Sequence, residues 1–250
     1  MIEYYLPLYI QAAHGASPIR SGILVLPLNV TEAVAGIICG VITHQFHAQM
    51  ELIVVGCGLM LLGTGLYIKM DAVTPLVQLI VFQIIAGFGI GNLFNPPVIV
   101  IQNETPQEHV ATATSTQAFI RTIATAIGVV IGGIIFEHGM SHRALDLRQA
   151  GLSNDLLEKL SGRNAAANVG VVNTIQNPAQ VRAVKDAFAW SIRNMFIFYT
   201  CVAAVGVVAS FFIRRSKLSS EHVETRTGLL VMEKSEQGLE LHSRPAITRE

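Results

Sequence analysis

The chain has 250 residues, of which only 14% are charged, and its formal net charge is zero. Soluble globular domains carry about 25% charged residues, so this composition, with a mean hydropathy of +0.50, excludes an ordinary water-soluble domain. The balanced charge, without a basic stripe or basic residues interleaved with aromatic ones, also excludes a nucleic-acid partner.

The first apolar segment is short. At 1.5 Å per residue, residues 2–13 give only about 18 Å of helix, whereas the hydrocarbon core of a bilayer is about 30 Å thick. The segment lacks the basic region and cleavage site of a signal peptide. We interpret it as the outer end of a helix whose beginning is missing.

Five longer apolar segments follow, and each is long enough to cross a bilayer. They are residues 21–44, 50–70, 76–102, 111–136 and 190–213. Because backbone polar groups inside a membrane must be paired within the segment, each is predicted to be a helix. The predicted fold class is therefore an all-α integral membrane bundle over residues 1–213, with five full transmembrane helices and a partial first one.

Two polar segments complete the chain. Residues 138–189 carry leucines near helical spacing, which favours short amphipathic helices, and the Ser- and Glu-rich tail 214–250 is predicted to be disordered. The basic residues Arg214, Arg215 and Lys217 directly follow the last span. By the positive-inside rule they place the C-terminus in the cytoplasm, which puts residues 138–189 on the outside.

Two ionisable side chains stand well inside predicted spans, Glu32 in the first and Arg121 in the fourth. A charge at the centre of a membrane costs about 2.5–3.5 kcal/mol on insertion scales, so such residues usually face a bundle interior or a wet cavity. A carboxyl group held between desolvation and a nearby arginine can take up and release a proton. The pair is therefore a candidate for proton coupling, with a purely structural ion pair as the alternative.

The third span contains amide side chains and two adjacent prolines. Gln83, Asn92 and Asn95 need hydrogen-bonding partners in hydrocarbon, which are either neighbouring helices or a ligand. Pro96 and Pro97 remove backbone donors and are expected to kink the helix near Asn92. Kinked helices occur at transport cavities and also in ordinary packed membrane helices.

Glycines recur four residues apart, the close-packing pattern of membrane helices. The pairs are Gly36 and Gly40, Gly87 and Gly91, and Gly128 and Gly132. The three cysteines, Cys39, Cys57 and Cys201, have the spacing of neither a zinc site nor a disulfide framework. No hydrolase, metalloprotease or nucleotide-binding motif is present, so the sequence predicts neither an enzyme nor a bound cofactor.

Several strings together resemble a known family. They are YYLPLYIQ at residues 4–11, SGILVLP at 21–27, QIIAGFGIG at 83–91 and AFAWSIR at 187–193. Over roughly residues 3–213 the chain resembles the second half of the fungal-type, fourteen-helix drug:proton antiporter branch of the major facilitator superfamily.

The resemblance implies an efflux or exchange carrier, driven by the proton gradient, in the plasma membrane or the vacuolar membrane. Its small-molecule substrates would be drugs or toxins, or else basic amino acids taken into a vacuole. Carriers of this superfamily work by rocking two halves around a central site, so the partner of this bundle would be a missing N-terminal transmembrane half. The residues then expected to face the substrate cavity are Asn29, Gln83, Asn92 and Asn95, beside Glu32 and Arg121.

Two departures from the family pattern leave other functions open. Residues 43–50 lack the glycine and basic residues usual in that cytoplasmic loop, and the first half, with its antiporter motif, is absent. The chain could instead be a membrane protein that regulates or assembles with a full-length carrier. An ion channel is less favoured, because no ring of acidic residues and no filter-like loop is present.

Overall fold

The computed structural model describes residues 2–46 and 49–212, and every regular element among them is helical. The long helices are α1 (Ile2–His14), α2 (Pro18–Phe46), α3 (Gln49–Tyr67), α4 (Leu76–Asn92), α5 (Pro96–Glu104), α6 (Val110–His142) and α10 (Pro178–Ser210). Three short helices lie between α6 and α10, namely α7 (Ala144–Gln149), α8 (Asn154–Leu160) and α9 (Asn164–Ala167). Two short 3₁₀ helices are formed by Gln107–His109 and Val169–Thr174.

Five segments of the described chain are long and apolar enough to cross a membrane, which confirms the all-α membrane class. Their bounds differ from the predicted spans in three places. The third span is two helices, α4 and α5; α6 runs on to His142; and α10 begins at Pro178 rather than at 190. The non-spanning connection is correspondingly shorter than 138–189. The predicted disordered tail 214–250 lies outside the described residues.

The break between α4 and α5 follows from Pro96 and Pro97. Because neither proline has a backbone N–H, the carbonyl groups four residues earlier lose their helical donors. One of them, that of Asn92, is within 3.8 Å of the Cys39 thiol, which donates to it. The Asn95 side chain occupies the break and donates through Nδ2 to the Gly36 carbonyl at 3.2 Å. One group of α2, the Cys39 thiol, therefore pairs with the interrupted backbone, and another, the Gly36 carbonyl, accepts from the side chain in the break.

Helix α4 lies between α2 and α3 and touches both through glycines. A Cβ atom at Gly91 would lie 2.5 Å from the carbonyl oxygen of Glu32 on α2, and one at Gly87 would lie 2.8 Å from that of Leu28. On the other side, a Cβ atom at Gly89 would lie 2.6 Å from the backbone nitrogen of Met60 on α3. These backbones approach so closely that α4 has no room for side chains at the contacts.

Helices α1 and α10 connect this layer to α6. Helix α1 contacts α2 and α10, and α10 contacts α3 and α6. The hydroxyl of Tyr199 on α10 donates to the Gly128 carbonyl at 2.9 Å, and that of Tyr5 on α1 donates to the Val129 carbonyl at 2.6 Å. Both hydrogen bonds are accepted by neighbouring carbonyl groups of α6, so the two tyrosines define the position of α6 along the bundle axis.

The connection between α6 and α10 packs against the end of the bundle where α1 stops. Leu147, Leu160 and Val172 from this connection are buried in the main core. At the same end, His14 has a lowered pKa because burial disfavours its charged form and Lys185 and Arg20 repel it. The connection is therefore a packed cover and not a free loop.

Candidate functional site

A charged cavity of about 410 Å³ lies among α1, α2, α3, α4, α6 and α10. Its ionisable groups are the carboxyl groups of Glu3 and Glu32, the guanidinium of Arg121 and the phenol of Tyr199. The two carboxyl groups therefore share one cavity with the guanidinium of Arg121.

Arg121 contacts an aromatic ring, not a carboxylate. Its Cζ atom lies 4.2 Å from the ring centroid of Phe94, the geometry of a cation–π contact. Within the part of the chain that the structure describes, Arg121 forms no ion pair with Glu3 or Glu32. The arginine therefore neighbours two carboxyl groups in the cavity without being paired to either.

A second, more apolar groove of about 710 Å³ runs along one face of α2 and ends at the α4–α5 break. It is lined by Asn29, Glu32, Ala33, Gly36, Ile37, Gly40, Val41, Phe94 and Asn95. Small residues of α2 contribute part of the lining, the two amides and the Glu32 carboxyl supply its polar groups, and Phe94 contributes from the α4–α5 break. Glu32 borders both this groove and the charged cavity.

A third pocket of about 350 Å³ connects to the same arginine. It is lined by Met60, Ile90, Leu93, Pro97, Gln117, Ile120 and Arg121. Arg121 therefore borders this pocket and the charged cavity, while Phe94, on which it stacks, borders the groove. Glu32 and Arg121 are thus the two charged side chains shared between neighbouring cavities, and Met60 and Ile90 are shared as well.

The structure places the candidate cavity residues in two groups. Asn29, Asn95, Glu32 and Arg121 lie at the cavities described above. Gln83 and Asn92 border none of the three. Gln83 is completely buried, and neither atom of its amide has a hydrogen-bond partner among the described residues. It precedes Gly87 by four residues and so shares the helix face that packs against α2.

The glycines and prolines predicted to serve helix packing or a kink differ in how closely they contact a neighbouring helix. Gly87 and Gly91 lie at the α2–α4 contact, and a Cβ atom at Gly132 would collide with the Tyr199 hydroxyl. Gly128 accepts the Tyr199 hydrogen bond. A Cβ atom added at Gly36 would lie at an ordinary contact distance, 3.9 Å from the Gly91 carbonyl oxygen, and one added at Gly40 would meet nothing within 4 Å. Pro96 is buried at the start of α5, and Pro97 lines the third pocket.

Four polar residues that line the charged cavity were not among the sequence candidates. They are Glu3, Thr64, Thr125 and Tyr199. Glu3 carried a usable signal, since it is the only charged residue of the apolar segment 2–13. Thr64 and Tyr199 carried none, because a lone hydroxyl in a membrane helix commonly bonds within the helix or to a neighbour. The Thr64 hydroxyl does bond to its own helix, at the Met60 carbonyl.

No group of three or more metal-ligating side chains that could hold an ion occurs in residues 2–46 and 49–212. What the described residues offer is a polar site: two carboxyl groups, a guanidinium and hydroxyl groups in one cavity, beside an apolar groove. An all-α bundle of membrane-spanning helices around such a polar interior has the architecture of a membrane transporter.

The chain belongs to the major facilitator superfamily of membrane transporters, whose family model matches residues 1–141. It is 34% identical over 233 residues to an efflux pump of Dothistroma septosporum, a match that covers 93% of this chain and 40% of that protein. An MFS-type transporter of Metarhizium majus is 36% identical over 226 residues, covering 90% of this chain and 39% of the relative. No solved structure matches the chain significantly.

A third relative, an MFS-type transporter of Aspergillus terreus, is 34% identical over 248 residues, which is 98% of this chain and 44% of that protein. The chain thus spans about two fifths of the length of these relatives. The predicted superfamily is confirmed, and so are membrane integration and a place in a transporter family.

Proposed function

We propose that this chain is the C-terminal bundle of a proton-coupled exporter of apolar small molecules, in which Glu32 carries the exchanged proton. The observation that supports this most directly is the position of Glu32, which borders both the apolar groove and the charged cavity. A carboxyl group in that position can meet a substrate on one side and exchange a proton on the other. Competition between the two for one group is the simplest basis of antiport.

The lining of the groove indicates the class of substrate. Apart from Glu32 it contains no ionisable side chain, and most of its surface comes from residues such as Ile37, Val41 and Phe94. Neutral or cationic molecules with a large apolar body fit this lining better than anionic ones. They also fit better than basic amino acids, whose two further charged groups would find only the amides of Asn29 and Asn95. One relative is named an efflux pump, which agrees with export.

Transport by this mechanism needs a second bundle. In this superfamily two halves alternate around a site near the midplane of the membrane, and the open groove on α2 is where we place the contact with an N-terminal transmembrane half. Arg214, Arg215 and Lys217 support a cytoplasmic C-terminus. The membrane would be the plasma membrane or the vacuolar membrane.

The test is transport in proteoliposomes by the protein expressed from its full reading frame. The planar aromatic cation rhodamine 6G serves as the probe, and trapped pyranine reports internal pH. A pH gradient should drive uphill movement of the probe, with protons moving in the opposite direction. Equal movement of the probe with and without the pH gradient would contradict proton coupling.

Residues 1–250 alone, reconstituted in the same way, are expected to transport nothing, because they supply only one wall of an alternating site. If the full reading frame is also inactive, and the chain instead alters transport by a co-expressed carrier, the regulatory alternative is correct. Proton-driven export by residues 1–250 alone would contradict the two-bundle mechanism.

Filling the groove should block the substrate without disturbing the fold. Because nothing lies within 4 Å of a Cβ atom at Gly40, a leucine there projects into the groove. We expect Gly40→Leu to raise the KM for rhodamine 6G about tenfold or more, a loss of about 1.4 kcal/mol of binding. Gly206→Leu is the matched control, since a Cβ atom at Gly206 also meets nothing within 4 Å and Gly206 lines none of the three cavities. Equal effects of the two substitutions would show that the groove is not the binding site.

A further inference from the structure

Phe94 connects the apolar groove to the charged cavity. It lies in the break between α4 and α5, is 48% exposed, and lines the groove. The guanidinium of Arg121 lies over its ring, with Cζ 4.2 Å from the ring centroid. The Phe94 side chain therefore touches both the groove, where we place the substrate, and Arg121, the cation of the charged cavity.

Arg121 contacts the Phe94 ring and also lines a cavity that contains carboxyl groups. It lines the cavity that contains Glu3 and Glu32, yet it forms an ion pair with neither in the described chain. A cation in an apolar environment is attracted to a neighbouring carboxylate and, less strongly, to an aromatic face. The contact with Phe94 therefore competes with an ion pair in the cavity.

We propose that Phe94 is a positioning residue, which holds Arg121 away from the carboxyl groups of Glu32 and Glu3 until an aromatic substrate in the groove stacks on its ring and releases the arginine. This inference rests on the proposed function and adds a link between its two sites. It also assigns a substrate class, molecules with a planar aromatic face.

The proton step balances within the cavity. When the guanidinium approaches, a protonated carboxyl group gives its proton to water; the O–H bond breaks and the carboxylate keeps the electron pair. An adjacent cation favours the ionised form, so the resulting negative charge is neutralised by Arg121. The titratable and charged groups that face Glu32 are Glu3 from α1, Arg121 from α6 and Tyr199 from α10, whereas α3 and α4 present Met60, Thr64 and Ile90.

The substitution Phe94→Leu tests this link because it keeps an apolar side chain and removes the ring face. The first measurement needs no ligand: the protonated-carboxyl band is titrated by infrared spectroscopy in the protein from its full reading frame. Glu32→Gln and Glu3→Gln assign the band. We expect Phe94→Leu to lower the titration midpoint by about one pH unit, a tenfold weaker proton affinity, because Arg121 is already free to approach.

Two further variants and one ligand test whether the effect is specific to the Phe94 ring. Phe94→Tyr retains the aromatic ring and should keep the wild-type titration midpoint. Phe88 is an exposed residue of α4 that lines none of the three cavities, so Phe88→Leu should also keep that midpoint. The neutral planar probe 7-methoxycoumarin should release protons from the wild type and from Phe94→Tyr. Calorimetry in buffers of different ionisation enthalpy counts those protons, and up to about one per bound probe is expected.

An unchanged midpoint in Phe94→Leu, or equal shifts in Phe94→Leu and Phe94→Tyr, would overturn the inference while leaving proton-coupled export intact. Failure of the wild type to bind the coumarin would overturn the aromatic substrate class and the link with it. If the wild type transports rhodamine 6G without moving protons, the proposed function itself fails, and that result is visible in the pyranine assay alone.

Discussion

Replacing Glu32 by glutamine is expected to abolish proton-driven transport while leaving the bundle folded. Glutamine has the same length and shape, so the packing of α2 against α4 is retained, but an amide cannot take up and release a proton. Glu32 is half-buried and borders both the groove and the charged cavity. Its loss should therefore uncouple the two sites and leave only downhill movement of the probe.

The measurement is uphill transport of rhodamine 6G under an imposed pH gradient, which should fall at least about tenfold if general acid–base exchange at this carboxyl is required. Glu32→Asp retains an ionisable group and should keep partial coupling. Glu108→Gln, at an exposed acid outside the cavities, should behave like the wild type. Unchanged uphill transport with an unchanged pH dependence in Glu32→Gln would remove Glu32 from the mechanism.

Glu3→Gln separates the roles of the two carboxyl groups. If the pair shares one proton, loss of Glu3 should shift the pH dependence of transport without abolishing coupling, since Glu32 remains. The contrast between a shift and a loss distinguishes a modulating neighbour from the coupling acid.

The helices and the charged pair could be predicted from the sequence for different physical reasons. Apolar length alone predicts the spans, because a backbone in hydrocarbon must be helical. A charge inside a span, as at Glu32 and Arg121, is costly enough that it must face the interior. These arguments need no knowledge of which helices are neighbours.

The rest of the site depends on neighbours and could not be predicted. Phe94 is one of 11 phenylalanines, and only the turn imposed by Pro96 and Pro97 brings its ring under Arg121. Gln83 shows a second limit: an amide in a span indicates a polar environment but not which neighbour provides it, and in the structure Gln83 is completely buried and borders none of the three cavities. Hydropathy also underestimates the amphipathic ends of helices. The predicted last span therefore begins at residue 190, with only short amphipathic helices expected before it, whereas α10 begins at Pro178.

Gly91 and Gly40 provide a matched test of the fold, because the same substitution should have opposite effects at the two sites. An alanine Cβ at Gly91 would lie 2.5 Å from the Glu32 carbonyl oxygen and 2.6 Å from the Ala35 Cβ atom, whereas at Gly40 it would meet nothing within 4 Å. Gly91→Ala must therefore push α4 away from α2. Overpacking of this kind costs typically about 1–3 kcal/mol, which we expect as the loss in free energy of unfolding.

Gly40→Ala should leave that free energy unchanged or raise it by up to about 1 kcal/mol, because alanine restricts the unfolded chain more than glycine does. Thermal unfolding in detergent measures both, and about 1 kcal/mol corresponds to about 2–4 °C in Tm for a chain of this size. The backbone carbonyl of Glu32 packs directly against Gly91. Gly91→Ala should therefore also displace the Glu32 side chain and weaken proton coupling. A Gly91→Ala protein as stable and as well coupled as Gly40→Ala would show that α2 and α4 do not meet at this glycine.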